Sequence, residues 1–124
     1  MRVLVVEDDD LVRTVAVDTL EEAGFEVIEA ATAEEALDRC EERTADILFA
    51  DIMLSGNLDG WDIAERCRES NPQLPVVYTT GYSLREHRRV AGSHVLSKPW
   101  KPDNLLGIIR EAAAQSSPRP RLSP

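Results

Sequence analysis

The apolar run Val3-Leu4-Val5-Val6 is followed at once by Glu7 and Asp8, Ile47-Leu48-Phe49-Ala50 by Asp51, Pro75-Val76-Val77-Tyr78-Thr79 by Thr80, and His94-Val95-Leu96-Ser97 by Lys98. Glu7, Asp8 and Asp51 offer three carboxylates. Brought together they repel one another, and the natural remedy is a hard divalent cation that takes oxygen ligands and keeps several waters; magnesium fits that description best. Such a cation can bridge a carboxylate and an incoming phosphoryl oxygen and neutralise the charge that develops in transfer. Asp51 is then a nucleophile of the aspartyl-phosphate kind. Lys98 brings a point positive charge to a phosphoryl oxygen, and Thr80 brings a hydroxyl donor. Taken singly, each has a blander reading: acids after a strand cap helices, threonine ends strands for its β propensity, and lysine is usually surface. Their joint placement, each at the end of an apolar run, favours a pocket.

These side chains act together only if the runs lie side by side. Short apolar runs alternate with helical patterns along the whole chain, the signature of a parallel sheet with helices on both faces. The predicted strands are 2–7, 25–30, 46–51, 75–80 and 94–97. Leu11, Val15, Ala16 and Leu20 mark a first helix, and Ala33, Ala36, Leu37 and Cys40 a second with i, i+3, i+4, i+7 spacing. Thr32 is placed to cap the second, with Glu35 reaching back to the capping residue's amide. Ile63, Ala64 and Cys67 place a third, stopped before Asn71-Pro72. Ser83 starts a short fourth helix through Val90 that ends at Gly92. Leu105, Ile108, Ile109 and Ala112 give the last. Open parallel sheets bind ligands beyond the carboxyl ends of their strands, where the strand order reverses. With order 2-1-3-4-5 the first and third strands are neighbours, so Asp8 and Asp51 meet at that point.

Composition limits the alternatives. The chain has 124 residues, enough for one compact domain, read here as residues 1–114 with 115–124 as a proline-bearing flexible tail. A formal charge of -9 argues against a direct nucleic-acid footprint, which needs a basic face. No apolar run nears the roughly 20 residues of a bilayer span, and no secretory leader is visible, so the expectation is a cytoplasmic protein without membrane contact. Cys40 and Cys67 are in no CxxC arrangement and fall on apolar helix faces, which reads as a pair of reduced core thiols rather than a disulfide or metal site.

At these residues the chain resembles the receiver domains of bacterial two-component response regulators. The resemblance runs to about Ala114 and rests on Val3-Leu4-Val5-Val6-Glu7-Asp8-Asp9-Asp10, the 46–51 run followed by Asp59-Gly60, Pro75-Val76-Val77-Tyr78-Thr79-Thr80-Gly81, and Ser97-Lys98-Pro99. It implies a flavodoxin-like, doubly wound five-stranded parallel sheet flanked by five helices. It implies phosphorylation of Asp51 by a sensor histidine kinase or a histidine phosphotransfer protein, in a regulatory domain rather than an enzyme. It also implies magnesium held by Asp8, Asp51 and the carbonyl of Met53, with Glu7 assisting through water, and a cis Lys98-Pro99 bond.

Departures from the family pattern are visible. The loop Ile52-Met53-Leu54-Ser55-Gly56-Asn57-Leu58-Asp59-Gly60 lacks the family's usual Met-Pro and is one residue longer than its common form. Three residues before Lys98 the family usually has a switch aromatic, and this chain has Val95. Tyr78-Thr79-Thr80-Gly81-Tyr82 is similar to a subgroup in which aromatics near the threonine stand in. Signal output is therefore expected through Thr80 and Gly81 to a face formed by Tyr82, Arg85, Arg88 and Arg89 with the fifth strand and fifth helix, contacting a downstream protein in a monomer or weak dimer. Two rival readings compete. A haloacid-dehalogenase-type phosphatase would use Asp8-Asp9-Asp10 as its DxD, but needs a larger chain with a cap. An inactive receiver kept as a docking module is argued against by the complete acid, threonine and lysine set.

Overall fold

The computed structural model describes residues 1–42, 44–81 and 88–115. Five strands, β1 (Arg2–Val6), β2 (Glu26–Ala30), β3 (Ile47–Asp51), β4 (Val76–Thr80) and β5 (His94–Ser97), form one parallel sheet in the order β2-β1-β3-β4-β5. The helices among the described residues are α1 (Asp10–Glu22), α2 (Ala33–Glu42), α3 (Gly60–Ser70) and α4 (Pro102–Gln115). Predicted strand ends are matched to within one residue. The predicted fourth helix starts in 82–87, outside the described residues, and its described end is not helical: Arg88 lies in a turn and Val90 in irregular backbone. The last helix runs one residue into the segment read as tail.

Side chains alternate across the pleat, so each central strand feeds two cores. Leu4, Val6, Leu48, Ala50 and Tyr78 pack against α2 and α3 through Ala36, Cys40, Ile63 and Ala64. Val3, Val5, Phe49 and Val77 pack on the other face against Leu20 of α1 and Leu105 and Ile109 of α4. Every residue of β3 and β4 is buried. Each fully buried leucine or isoleucine contributes about 1.5–3 kcal/mol. This double burial makes the strand ends, where the polar residues begin, a fixed platform.

Helix starts are set by side-chain caps. Asp9 accepts from the amides of Leu11 and Val12 at 3.0 and 3.1 Å and opens α1. Gly24, at φ 96°, closes it with a left-handed residue. Thr32 Oγ1 accepts from Glu35 N at 3.1 Å as expected, but the Glu35 carboxylate reaches Ala31 N at 2.9 Å, one residue ahead of the cap. At α3 the reciprocal pair Asp59 and Asp62 forms a full capping box.

The cysteines are a correction. α2 and α3 lie side by side on one face of the sheet, bringing Cys40 and Cys67 to a Cα separation of 5.3 Å, and the two are joined as a disulfide rather than left as thiols. The 27-residue separation held no signal of this, because the pairing depends on how two helices pack. A closed loop of that length is worth about 3–4 kcal/mol in the chain-entropy account.

Gly60 is where α3 meets β3. Its amide donates to Ile52 O at 2.9 Å, and a Cβ built there would lie 2.5 Å from Asp51 O and 2.7 Å from Ile52 Cα. Both obstacles are backbone, so Gly60→Ala must displace the strand end or the helix. We expect a loss of about 1–3 kcal/mol, seen as a lower urea midpoint at unchanged m-value; an unchanged midpoint would show that α3 does not lean on the strand as described.

Candidate functional site

The site lies beyond the carboxyl ends of β1, β3 and β4. Asp51 is the last residue of β3, only 4% exposed, and Glu7, the residue after β1, is 2% exposed. The register Val6↔Ala50 places the two strand ends level, so both acids leave the sheet at the same height. Asp8 follows. One carboxylate oxygen from each of Glu7, Asp8 and Asp51 lies within 4.8 Å of the others.

Lys98 reaches this cluster from the end of β5. Its Nζ is 2.8 Å from Asp51 Oδ2 and 2.9 Å from Glu7 Oε1. Its amide donates to Thr80 O at 2.8 Å, which ties the lysine backbone to the end of β4, and the Lys98-Pro99 bond is cis as the resemblance implied. Thr80 is buried at that strand end. Its neighbour Thr79, level with Asp51, keeps a buried hydroxyl with no hydrogen-bond partner among the described residues.

The loop after Asp51 folds back over the acids. Met53 N donates to Asp51 Oδ1 at 3.1 Å, while the residue as a whole is 58% exposed. Ser55 donates to Asp8 Oδ2 from its amide at 2.9 Å and from its hydroxyl at 2.7 Å. No sequence motif marks Ser55 as part of the site. Its one signal was its place in the unusually long loop. Arg13 was also missed: its guanidinium donates to Glu7 O at 2.8 Å and pairs with Asp10 and Glu29, bracing the turn that presents Glu7 and Asp8.

The run Asp8-Asp9-Asp10 divides into separate jobs. Asp9 caps α1 and Asp10 pairs with Arg13 on the exposed side, so Asp8 alone of the three joins the cluster. That removes the DxD reading on which the phosphatase rival depended.

Electrostatics follow the burial. Glu7 is pushed up to about 7, first by burial and further by the negative charge of Asp51, against the opposing hydrogen bond from Lys98. Burial works to raise Asp8 too, but the hydroxyl and amide of Ser55 outweigh it and hold Asp8 below the usual carboxylate range. For Lys98, burial acts downward and the bonds to Asp51 and Glu7 prevail, keeping the ammonium charged.

Beyond the cluster, two arginines assigned to a partner face are engaged within the chain. Arg88 bonds Asp62 and Glu65 of α3, each at 2.9 Å, and Arg89 donates to the backbone carbonyl and hydroxyl of Ser93. Acidic residues on α3 one turn apart draw Arg88 inward. Tyr82 and Arg85 lie outside the described residues. Val95 sits level with Tyr78 on β4, whose buried ring is 4.7 Å from that of Trp61 and whose hydroxyl accepts from Val90 N at 3.1 Å.

Set against known proteins, residues 3–110 match the response regulator receiver domain family, and the chain belongs to it. It is 30% identical over 114 residues to the response regulator receiver protein CpdR of Brucella abortus, covering 89% of this chain and 94% of that one. It is also 30% identical to the alkaline phosphatase synthesis transcriptional regulatory protein PhoP of Bacillus subtilis, covering 94% of this chain but 52% of PhoP. Among solved structures it is similar to a response regulator receiver protein from Sinorhizobium medicae, with a TM-score of 0.90, 25% identity and coverage of 94% and 97% of the two chains.

The raised Glu7 has a consequence for stability in metal-free buffer. Its folded value, about 7, lies above its ordinary 4.5, so the native state binds this proton more tightly than the unfolded one. The resulting stabilisation is complete below 4.5 and is lost as pH rises through about 7. In EDTA, urea midpoints should fall between pH 5 and 7.5 by the equivalent of about 1–3 kcal/mol more in wild type than in Glu7→Gln; parallel profiles would mean that Glu7 is ionised throughout.

Proposed function

We propose that this domain is a phosphoacceptor of a two-component phosphorelay in which Asp51 takes a phosphoryl group from a sensor histidine kinase or a histidine phosphotransfer protein. The observation that carries the reading is the Lys98 ammonium 2.8 Å from the Asp51 carboxylate, inside a cluster of three acids at the end of a buried strand. A carboxylate oxygen of Asp51 attacks phosphorus as the phosphorus–nitrogen bond of the donor phosphohistidine breaks, and the electron pair leaves with the imidazole. Lys98 meets the phosphoryl charge, and Thr80 offers its hydroxyl.

The donor set suits a hard cation: oxygen ligands only, two of them on nearly or fully buried acids. In this reading Asp8, Asp51 and the Met53 carbonyl would hold magnesium, with Glu7 assisting through water. When bound it supplies Lewis-acid neutralisation of the phosphoryl oxygens. The domain acts as a regulatory acceptor rather than a turnover enzyme, in the cytoplasm, with output to a downstream protein. No helix among the described residues is long and apolar enough to cross a membrane.

Acetyl phosphate with magnesium should add one phosphoryl group to the wild type by intact mass and none to Asp51→Asn. Asp8→Asn should keep the fold and lose most magnesium affinity by calorimetry. Equal labelling of wild type and Asp51→Asn would remove the proposal, and full affinity in Asp8→Asn would move the metal elsewhere.

For output, Tyr78 is the aromatic best placed to do what Val95 cannot. Its ring lies against Trp61, next to Gly60 at the rear of the site, and its hydroxyl holds Val90. Tyr78→Phe deletes that bond at a cost of about 0.5–1.5 kcal/mol. We expect normal phosphorylation of this variant, with the beryllofluoride-induced backbone NMR shifts of residues 88–92 at least halved. Undiminished shifts would show that the signal leaves by another route.

A further inference from the structure

The disulfide between α2 and α3 is asymmetric in its access to solvent. Cys67 is 1% exposed and sealed in the core, whereas Cys40 is 8% exposed. A surface cavity of about 300 Å³, lined by Leu37, Cys40, Glu41, Arg66, Glu69 and Ser70, opens at Cys40 and does not include Cys67. These are the only two cysteines of the chain, so no other thiol can resolve or compete with the pair. Thiol–disulfide exchange depends on which sulfur an attacking thiolate can reach, and Cys40 is the cysteine of the pair that lines this cavity.

We propose that Cys40 is a thiol–disulfide exchange site at which low-molecular-weight thiols of the glutathione type open and close the clamp between α2 and α3. A thiolate entering the cavity attacks Cys40 Sγ. A new sulfur–sulfur bond forms to Cys40, the Cys40–Cys67 bond breaks, and Cys67 leaves as a thiolate that takes a proton from water. A second small thiol then displaces Cys40 from the mixed disulfide. The protein pair gains two electrons and two protons, and two small thiols are oxidised to one small disulfide. Closure runs the same steps backwards, with the small disulfide as oxidant. The clamp sits two turns along α3 from Gly60, which rests on the backbone of Asp51 and Ile52, so exchange acts on the helix that backs the candidate site. The inference rests on the cysteine geometry alone and stands whether or not Asp51 is phosphorylated.

The test uses the full chain, purified without reductant and equilibrated with reduced and oxidised glutathione in varied ratio. Free thiols are then trapped and the adducts mapped by peptide mass. We expect dithiol and disulfide forms to interconvert in the folded protein, with glutathione found on Cys40 and not on Cys67. The dithiol form should melt roughly 10 °C lower. Cys67→Ser should accumulate glutathione on Cys40, while Cys40→Ser should protect Cys67 until urea is added. Should either variant fail to fold, mapping of the wild-type mixed disulfide decides alone. A folded chain inert to both glutathione forms, or adducts on Cys67, would overturn the proposal.

Discussion

The structure is organised around a repulsion. Three carboxylates meet within 4.8 Å at the mouth of a sheet whose interior is apolar. At 4.8 Å a pair of ionised acids costs about 3–4 kcal/mol with an effective dielectric near 20, and more at closer approach. An arrangement that expensive persists only with compensation. Lys98 bonds two of the acids, Ser55 holds the third, and Glu7 retains its proton to near neutrality. A cluster held together this way favours a ligand that brings positive charge.

Everything else serves to keep those groups in place. β3 is buried from end to end, so Asp51 cannot drift without opening both cores. Thr80 O receives the Lys98 amide, which brings the lysine in from the edge of the sheet. Gly60 permits α3 to lie directly on the strand end. The consequence is a site mounted on rigid elements, with the loop from Ile52 to Asp59 bonded back onto two of its acids.

Much of this was legible in the residues themselves because strand ends announce their cargo. A run such as Val3-Leu4-Val5-Val6 ending in Glu7 and Asp8 states both the strand and what leaves it, and the order of a doubly wound sheet then brings β1 beside β3. The partners that hold the acids were harder to read. Ser55 reaches Asp8 across 47 positions through a loop whose path no local pattern encodes. Arg88 reads as an exposed charge until α3 is seen to carry Asp62 and Glu65 beside it. Cys40 and Cys67 each look like ordinary apolar helix positions, and only the packing of α2 on α3 makes them a pair. In each case the deciding contact is tertiary and polar, and periodicity carries no information about it.

The central proposal, that Asp51 is the nucleophile, starts from the chain's membership of the receiver family and from the acidic cluster in which Asp51 lies. An acyl phosphate is uniquely open to reduction by borohydride, which converts a phosphorylated aspartate to homoserine and leaves free carboxylates untouched. After treatment with acetyl phosphate and magnesium, peptide mass mapping should find homoserine at position 51 and nowhere else. Homoserine at Asp8 or Asp9, or an unmodified Asp51 under conditions that phosphorylate the chain, would contradict the account.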